Sequence, residues 1–287
     1  MIKQFTLLFA ITLATITSGF CQTLITPLDL AKKIFSKTKF DDIATYSTGD
    51  FGGYYKCHPN GQDISKEAIL SFSLLEQTNN KAVVVMTISD KTGNGGIDTY
   101  LHFKKEKIWK LAAFRDLSMT GAIYGAIDEL ENLSPNGIDS IISASKKDST
   151  RNATFKSRED FDFELGNMKL TVALDSAIID HFIKNKKEFE RLKNIVIDKI
   201  KKESSGDQID LSNDKAFEKD YRKLLIHSVS ANNPELSKGI DFSIGGILDN
   251  TVGYLYIEDK KDKPEMSPDK IIMLKEIGGG WYIYKTT

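Results

Sequence analysis

Four segments rich in apolar residues follow one another in the first half of the chain, separated only by short polar stretches. They cover residues 69–77, 81–89, 97–104 and 107–114. Connections this short join antiparallel strands, because a parallel crossover needs about a dozen residues or more. The sequence therefore predicts a four-stranded antiparallel meander in this region.

Helical patterns flank the predicted meander. Thr26 followed by Pro27 indicates an N-cap with proline in the first turn, and predicts a short helix over 27–37. After the meander, apolar residues at helical spacing predict a helix over 120–133, and a weaker helix follows the break at 134–137.

The second half of the chain shows the same succession of helices and then strands. A long amphipathic helix is indicated by apolar residues at helical spacing, namely Ile178, Phe182, Phe189, Leu192, Val196 and Ile200. A further helix is predicted over 214–226, and strands are predicted over 240–244, 252–258, 270–276 and 281–285. We expect an antiparallel meander here as well.

A polar stretch over 145–158, with Ala153 and Phe155 as its only apolar residues, separates these two halves. The predicted fold class is α+β, with two consecutive helix-plus-antiparallel-sheet domains at 22–145 and 160–287. Each half closes with a strand containing tryptophan, Trp109 in one and Trp281 in the other, which raises the possibility of an internal duplication.

The N-terminus has the pattern of a secretory signal peptide over residues 1–21. Lys3 precedes an uncharged run of 12 residues at 5–16, and small residues follow it. Cleavage after Cys21 is favoured over lipidation of Cys21, because Phe20 is bulky where a lipoprotein signal has a small residue. The sequence thus predicts a periplasmic or extracellular protein with no transmembrane helix in its mature chain.

Charge and cysteine content restrict the partners and the chemistry further. The chain has 39 Lys plus Arg and 40 Asp plus Glu, so no net positive field is available to attract nucleic acid. After cleavage only Cys57 remains, which excludes an internal disulfide bond. We expect no cofactor and no metal, since the four histidines are scattered and no Cys-x-x-Cys motif occurs. Cys57 beside His58 is interpreted as a free thiol rather than a nucleophile.

The strand at 97–104 alternates and places Asp98, Tyr100 and His102 on one face. In one interpretation these residues line a polar pocket in which His102 acts as a general base. In the interpretation that we favour, they lie on the solvated face of an ordinary antiparallel sheet. The second interpretation predicts that His102→Ala and Asp98→Asn leave the fold nearly intact.

Four tyrosines near the C-terminus form two alternating pairs, Tyr254 with Tyr256 and Tyr282 with Tyr284. If the faces of the two strands coincide, the four rings make a platform for stacking a sugar or a peptide. Cross-strand aromatic packing within the sheet explains the same pattern and is the favoured interpretation.

Two resemblances accompany these patterns. The order of elements resembles the cystatin-like cone of the nuclear transport factor two superfamily, in which a curved sheet wraps a helix. The C-terminal part is similar to a family of small secreted bacterial proteins of no known activity, through the motifs Phe182-x-x-Asn185-Lys186-x-x-Phe189-Glu190-x-Leu192, Tyr221-Arg222-x-Leu224, Gly253-Tyr254 and Trp281-Tyr282-x-Tyr284. This similarity covers under half of the chain; it implies export and a fold but no catalytic residue.

Three functional hypotheses follow. The first is a non-catalytic binding or interaction module that holds an unknown protein or a cell-envelope ligand. The second is a small-molecule enzyme of the cone type that uses His102, Asp98 and Tyr100. The third is an inhibitor or immunity-like protein.

Overall fold

The computed structural model describes residues 25–54, 64, 68–92, 95–147, 155–203, 208–212, 214–234 and 236–287. The predicted signal peptide with Cys21, and the pair Cys57-His58, lie outside the described residues. Within them the helices are Pro27–Ile34 (α1), Gly49–Tyr54 (α2), Thr120–Glu131 (α3), Pro135–Lys147 (α4), Arg158–Thr171 (α5), Asp175–Glu203 (α6) and Lys215–Arg222 (α7). The strands are Ile69–Gln77 (β1), Lys81–Ser89 (β2), Gly96–Lys105 (β3), Trp109–Arg115 (β4), Ile209–Asp210 (β5), Ser228–Asn233 (β6), Ser237–Ile247 (β7), Asn250–Tyr256 (β8), Ile271–Gly278 (β9) and Trp281–Thr286 (β10).

The first sheet confirms the predicted meander. Its strands are antiparallel and lie in the order β1-β2-β3-β4. The start of α1 is capped by the Thr26 side chain, which accepts a hydrogen bond from the backbone N–H of Asp29. This helix buries Leu30 and Ile34 against one face of the sheet, where Val84 and its cross-strand partner Leu101 lie. A first hydrophobic core is thereby formed between α1, α2 and the sheet.

The opposite face of the first sheet is also buried, and this corrects the sequence interpretation of β3. Val83, Val85 and Tyr100 on this face belong to one continuous apolar cluster with α6 and the second sheet. Asp98 and His102 lie between the two halves, with 7% and 6% of their surfaces exposed. The prediction of a half-solvated face is therefore wrong, because the second half of the chain covers the side that alternation assigned to water.

The second sheet has six antiparallel strands in the order β5-β6-β7-β8-β10-β9. It is not a simple meander, since β10 lies between β8 and β9 and leaves β9 at the edge. Trp109 consequently lies on an edge strand, whereas Trp281 lies on an interior strand. This difference in strand order gives the suggested duplication no support.

The long helix α6 lies on one face of the second sheet. Phe182 and Phe189 on this helix contact Tyr254 of β8, with ring centroids 5.5 and 4.8 Å apart. Both rings also contact Trp281 of β10. Side chains that alternate with these buried ones point to the other face of the sheet, away from α6.

The α+β fold class with two antiparallel sheets is confirmed. The likeness to a cystatin-like cone stays a prediction, as do the domain limits near 145 and 160. The end of the polar stretch takes part in the fold, because Phe155 is buried and the Ser157 side chain caps α5 by accepting a hydrogen bond from the backbone N–H of Asp160. Among the described residues, no helix combines the length and the apolar character that a membrane span requires.

Limited proteolysis tests how the halves are joined. We expect the first cut within 145–158, and we expect the two fragments to co-elute on gel filtration until denaturant is added. The reason is the buried contact between the sheets, together with ion pairs such as Lys81 with Glu265 and Lys263 with Glu76. Fragments that separate in native buffer would contradict a stable interface, and cleavage at the termini alone would contradict a boundary in this stretch.

Candidate functional site

Asp98 and Tyr100 hold the start of α6 against the first sheet. The Asp98 carboxylate accepts hydrogen bonds from Thr87 Oγ1 at 2.5 Å and from the backbone N–H of Asp175 at 2.7 Å. Tyr100 Oη donates to Asp175 Oδ1 at 2.8 Å, and the Lys285 ammonium lies 2.9 Å from the same oxygen. Burial beside Asp175 and Asp98 raises the pKa of Tyr100 well above its usual range. Both side chains thus have structural partners.

His102 is fixed by a different contact. Its Nε2 donates to the carbonyl oxygen of Ile272 on the edge strand β9, at 3.0 Å. Burial lowers the pKa of His102 to about 4, so the ring is neutral at pH 7 and is a weak base. His102 lines a cleft of about 570 Å³, whereas Asp98 lines a separate cavity of about 20 Å³.

The geometry therefore does not support a shared pocket of His102, Asp98 and Tyr100. His102 binds the backbone of β9, whereas Asp98 and Tyr100 bind Asp175 at the start of α6. The expectation that His102→Ala and Asp98→Asn leave the fold nearly intact rests on a solvated face, and the buried hydrogen bonds of both side chains contradict that premise.

The tyrosine platform, the less favoured of the two interpretations of these residues, does not form. Trp281 and Ile283 pair with Tyr256 and Tyr254, so these residues share the face under α6. Tyr282 and Tyr284 pair with Leu255 and Gly253 on the opposite face. Tyr254 is fully buried, and its hydroxyl donates to the carbonyl oxygen of Ile178 at 2.8 Å. Cross-strand and helix-to-sheet packing explains this pair.

The face of the second sheet that points away from α6 carries an open polar cavity of about 530 Å³, which we name the outer trough. Five strands, namely β5, β6, β7, β8 and β10, contribute to it. The register aligns Ser228, Ser243, Gly253 and Tyr284 in one row across β6, β7, β8 and β10. The neighbouring row begins with Ser230 and Asp241. The lining of the trough includes Ser228, Ser230, Asp241, Ser243, Thr251 and Tyr284.

Gly253 makes the floor of this trough possible. A Cβ atom at this position would lie 2.8 Å from Tyr284 Cε1 and 2.9 Å from its hydroxyl oxygen, so a larger residue would displace the ring. Because glycine leaves this space free, the Tyr284 side chain lies across β8. Its hydroxyl donates a hydrogen bond to Asp241 Oδ1 on β7, at 2.7 Å.

Burial shifts the ionisation of both members of this pair. It raises the pKa of the Asp241 carboxyl to about 7, although the hydrogen bond from Tyr284 acts in the opposite direction. Burial, together with the nearby Asp241 carboxylate, raises the pKa of Tyr284 well above its usual range. A carboxyl that titrates near neutrality at the floor of a cavity marks a candidate functional site.

Hydroxyl groups surround the pair. Ser228, Ser230 and Ser243 are half-buried on the same face. Thr251 and Thr286 at one end share a hydrogen bond of 2.8 Å between their side-chain oxygens. Each hydroxyl offers one donor and two acceptor lone pairs, so the trough can bind a small ligand through many polar contacts.

Sequence reasoning identified Tyr284 as a candidate but missed Asp241 and the serines. The signal was the alternation of Asp241, Ser243 and Gly245 with the apolar Ile240, Phe242 and Ile244. That alternation marks a polar face, but it does not distinguish a cavity from a flat solvated surface.

Comparison of the chain with models of known protein families, with curated proteins and with solved structures finds no match. The described part of the chain contains no group of three or more histidine, cysteine, aspartate or glutamate side chains suited to a metal ion.

Proposed function

We propose that the protein is an exported, non-catalytic binding module and that the outer trough is its ligand site. The observation that carries this proposal is the buried Asp241–Tyr284 pair at the floor of an open cavity lined by serine and threonine hydroxyls. A small, polar ligand with several hydrogen-bonding groups fits such a lining. Export rests on the N-terminal sequence pattern over residues 1–21.

The arrangement of the trough favours binding over catalysis. An activated serine needs a base within hydrogen-bonding reach. His227 and Asp241 both line the trough, but within the described residues neither makes a side-chain hydrogen bond to Ser228, Ser230 or Ser243. The hydroxyls therefore act as donors and acceptors for a ligand and not as nucleophiles.

A thermal-shift screen tests this function. Wild-type protein is heated with a panel of monosaccharides, polyols, amino acids and small amines, and at least one is expected to raise Tm. A ligand at about 100 times its Kd stabilises the folded state by about 2.7 kcal/mol. The Ser230→Leu variant, which places a larger apolar side chain in the trough, should lose this shift.

The matched control is Ser140→Leu, an equal change on the exposed side of α4. This variant should keep the full ligand-induced shift. A panel without any effect on wild-type Tm, or a shift that survives Ser230→Leu, would argue against the trough as the ligand site.

A further inference from the structure

Asp241 lacks a positive partner, although only 8% of its surface is exposed. Within the described residues it accepts one side-chain hydrogen bond, from Tyr284 to Oδ1, and it takes part in no ion pair. Its other carboxylate oxygen, Oδ2, accepts no hydrogen bond from the described residues, and it is not fully enclosed by protein atoms. Since Asp241 lines the trough, Oδ2 has access to this cavity.

A buried carboxylate is costly unless it is paired with a cation or fully hydrogen-bonded. Only one oxygen of Asp241 accepts a side-chain hydrogen bond, and its donor, the Tyr284 hydroxyl, is neutral. The ionised carboxylate therefore lacks a positively charged donor. A ligand in the trough can supply it.

The other charged groups around the trough strengthen this requirement. Asp210 on β5 and Asp249 before β8 also line it, which makes three carboxyl groups with Asp241. Lys270, just before β9, is the one lysine or arginine of the described lining, and it forms no ion pair there. His227, before β6, is exposed. The carboxyl groups outnumber the lysine and favour entry of a cation.

We infer that the ligand of the outer trough is a small hydroxylated primary amine whose ammonium group binds Asp241 Oδ2. This inference rests on the proposed function and adds the class of ligand. An ammonium group has three donors. One of them pairs with Asp241, and the hydroxyl oxygens of Ser230 and Ser243 accept the others, while the hydroxyl groups of the ligand lie along the remaining serines and threonines.

The ionisation of Asp241 gives this site a pH dependence with a defined sign. In the free protein, burial raises the pKa of the carboxyl to about 7, so the group is largely protonated at pH 5.5. A bound ammonium group favours the ionised form and lowers this pKa, so binding below pH 7 releases a proton. Affinity for an amine should therefore rise between pH 5.5 and 7.5.

Calorimetric titration with matched probes tests the inference. The first pair is glucamine against sorbitol and the second is ethanolamine against ethylene glycol; in each pair the two compounds differ by an amine in place of one hydroxyl. At pH 7.5 we expect each amine to bind wild-type protein at least about tenfold more tightly than its alcohol, which corresponds to about 1.4 kcal/mol. At pH 5.5 amine affinity should fall by about tenfold or more.

The decisive variant is Asp241→Asn, which keeps an oxygen to accept the Tyr284 hydrogen bond but cannot ionise. It should lose both the preference for amines and its pH dependence. The control is Asp249→Asn, which removes an exposed carboxylate from the same trough and should keep the preference.

Equal affinity for amine and alcohol, with both lost in Ser230→Leu, would overturn the inference and leave the binding module in place. An amine preference that persists in Asp241→Asn would also overturn it. If neither amine binds wild-type protein, the inference is wrong, and the thermal-shift screen decides separately whether the trough binds other ligands.

Discussion

Replacement of Trp281 by alanine is expected to lower the free energy of unfolding by about 3 to 5 kcal/mol. The indole ring is completely buried at the centre of the second core. Its ring centroid lies 5.1 to 5.9 Å from those of Phe182, Phe189 and Phe242. Its Nε1 donates a hydrogen bond to Glu190 Oε1 at 2.9 Å. The substitution removes all of these contacts and leaves a cavity between α6 and the sheet.

Urea denaturation followed by circular dichroism measures this loss. Trp281→Phe is the matched control, since it keeps an aromatic ring in the core and should cost clearly less than the alanine variant. A loss below about 1 kcal/mol for Trp281→Ala would mean that the second core does not depend on this ring.

Removal of the Lys285 charge is expected to destabilise the protein by a similar amount, about 3 to 5 kcal/mol. Lys285 and Asp175 form an ion pair of 2.9 Å, with only 5% and 7% of their side-chain surfaces exposed. Lys285→Met keeps much of the side-chain length but leaves Asp175 buried without its cation. The carboxylate of Asp98, which binds the backbone of Asp175, lies in the same buried group.

The double variant Lys285→Met/Asp175→Asn distinguishes charge from packing. Because it removes both charges, it should recover a large part of the stability lost in Lys285→Met, as measured by urea denaturation at pH 7. If the double variant is as unstable as the single one, the loss comes from packing of the lysine stem and not from the uncompensated carboxylate.

The local features of the fold were predictable from the sequence. The limits of β1 and β2 agree residue for residue with the expected segments, because apolar runs bounded by short polar turns leave little choice of register. The long helix α6 follows from six apolar residues at helical spacing, and all but Ile200 are fully buried in the second core.

The non-local features were not predictable in this way. Alternation along β3 correctly separated its two faces, but it could not show that Asp98 and His102 meet the second half of the chain. The position of β10 between β8 and β9 likewise depends on where the segment after β8 leads, which no local pattern records. The short helix α2 contains three glycines and has little helical pattern of its own.

In the candidate site, too, the local feature was predictable from the sequence and the contact between strands was not. Tyr284 was identified from its spacing to Tyr282, although the two strands carrying the tyrosine pairs present them on opposite faces. What distinguishes Tyr284 is its contact with Asp241 across Gly253, and this contact needs three strands in a register that only the folded sheet provides.

The position of β10 has a consequence for the order in which the chain folds during synthesis. Both β8 and β9 pair with β10, which is the last strand of the sheet to be made. When β9 has been synthesised it still has no neighbour in this sheet, and β8 has an open edge. A nascent chain interrupted before Trp281 therefore exposes the open edge of β8 and the unpaired strand β9, which are sites of aggregation. Completion of the second sheet, and with it the floor of the outer trough, has to wait for the synthesis of β10.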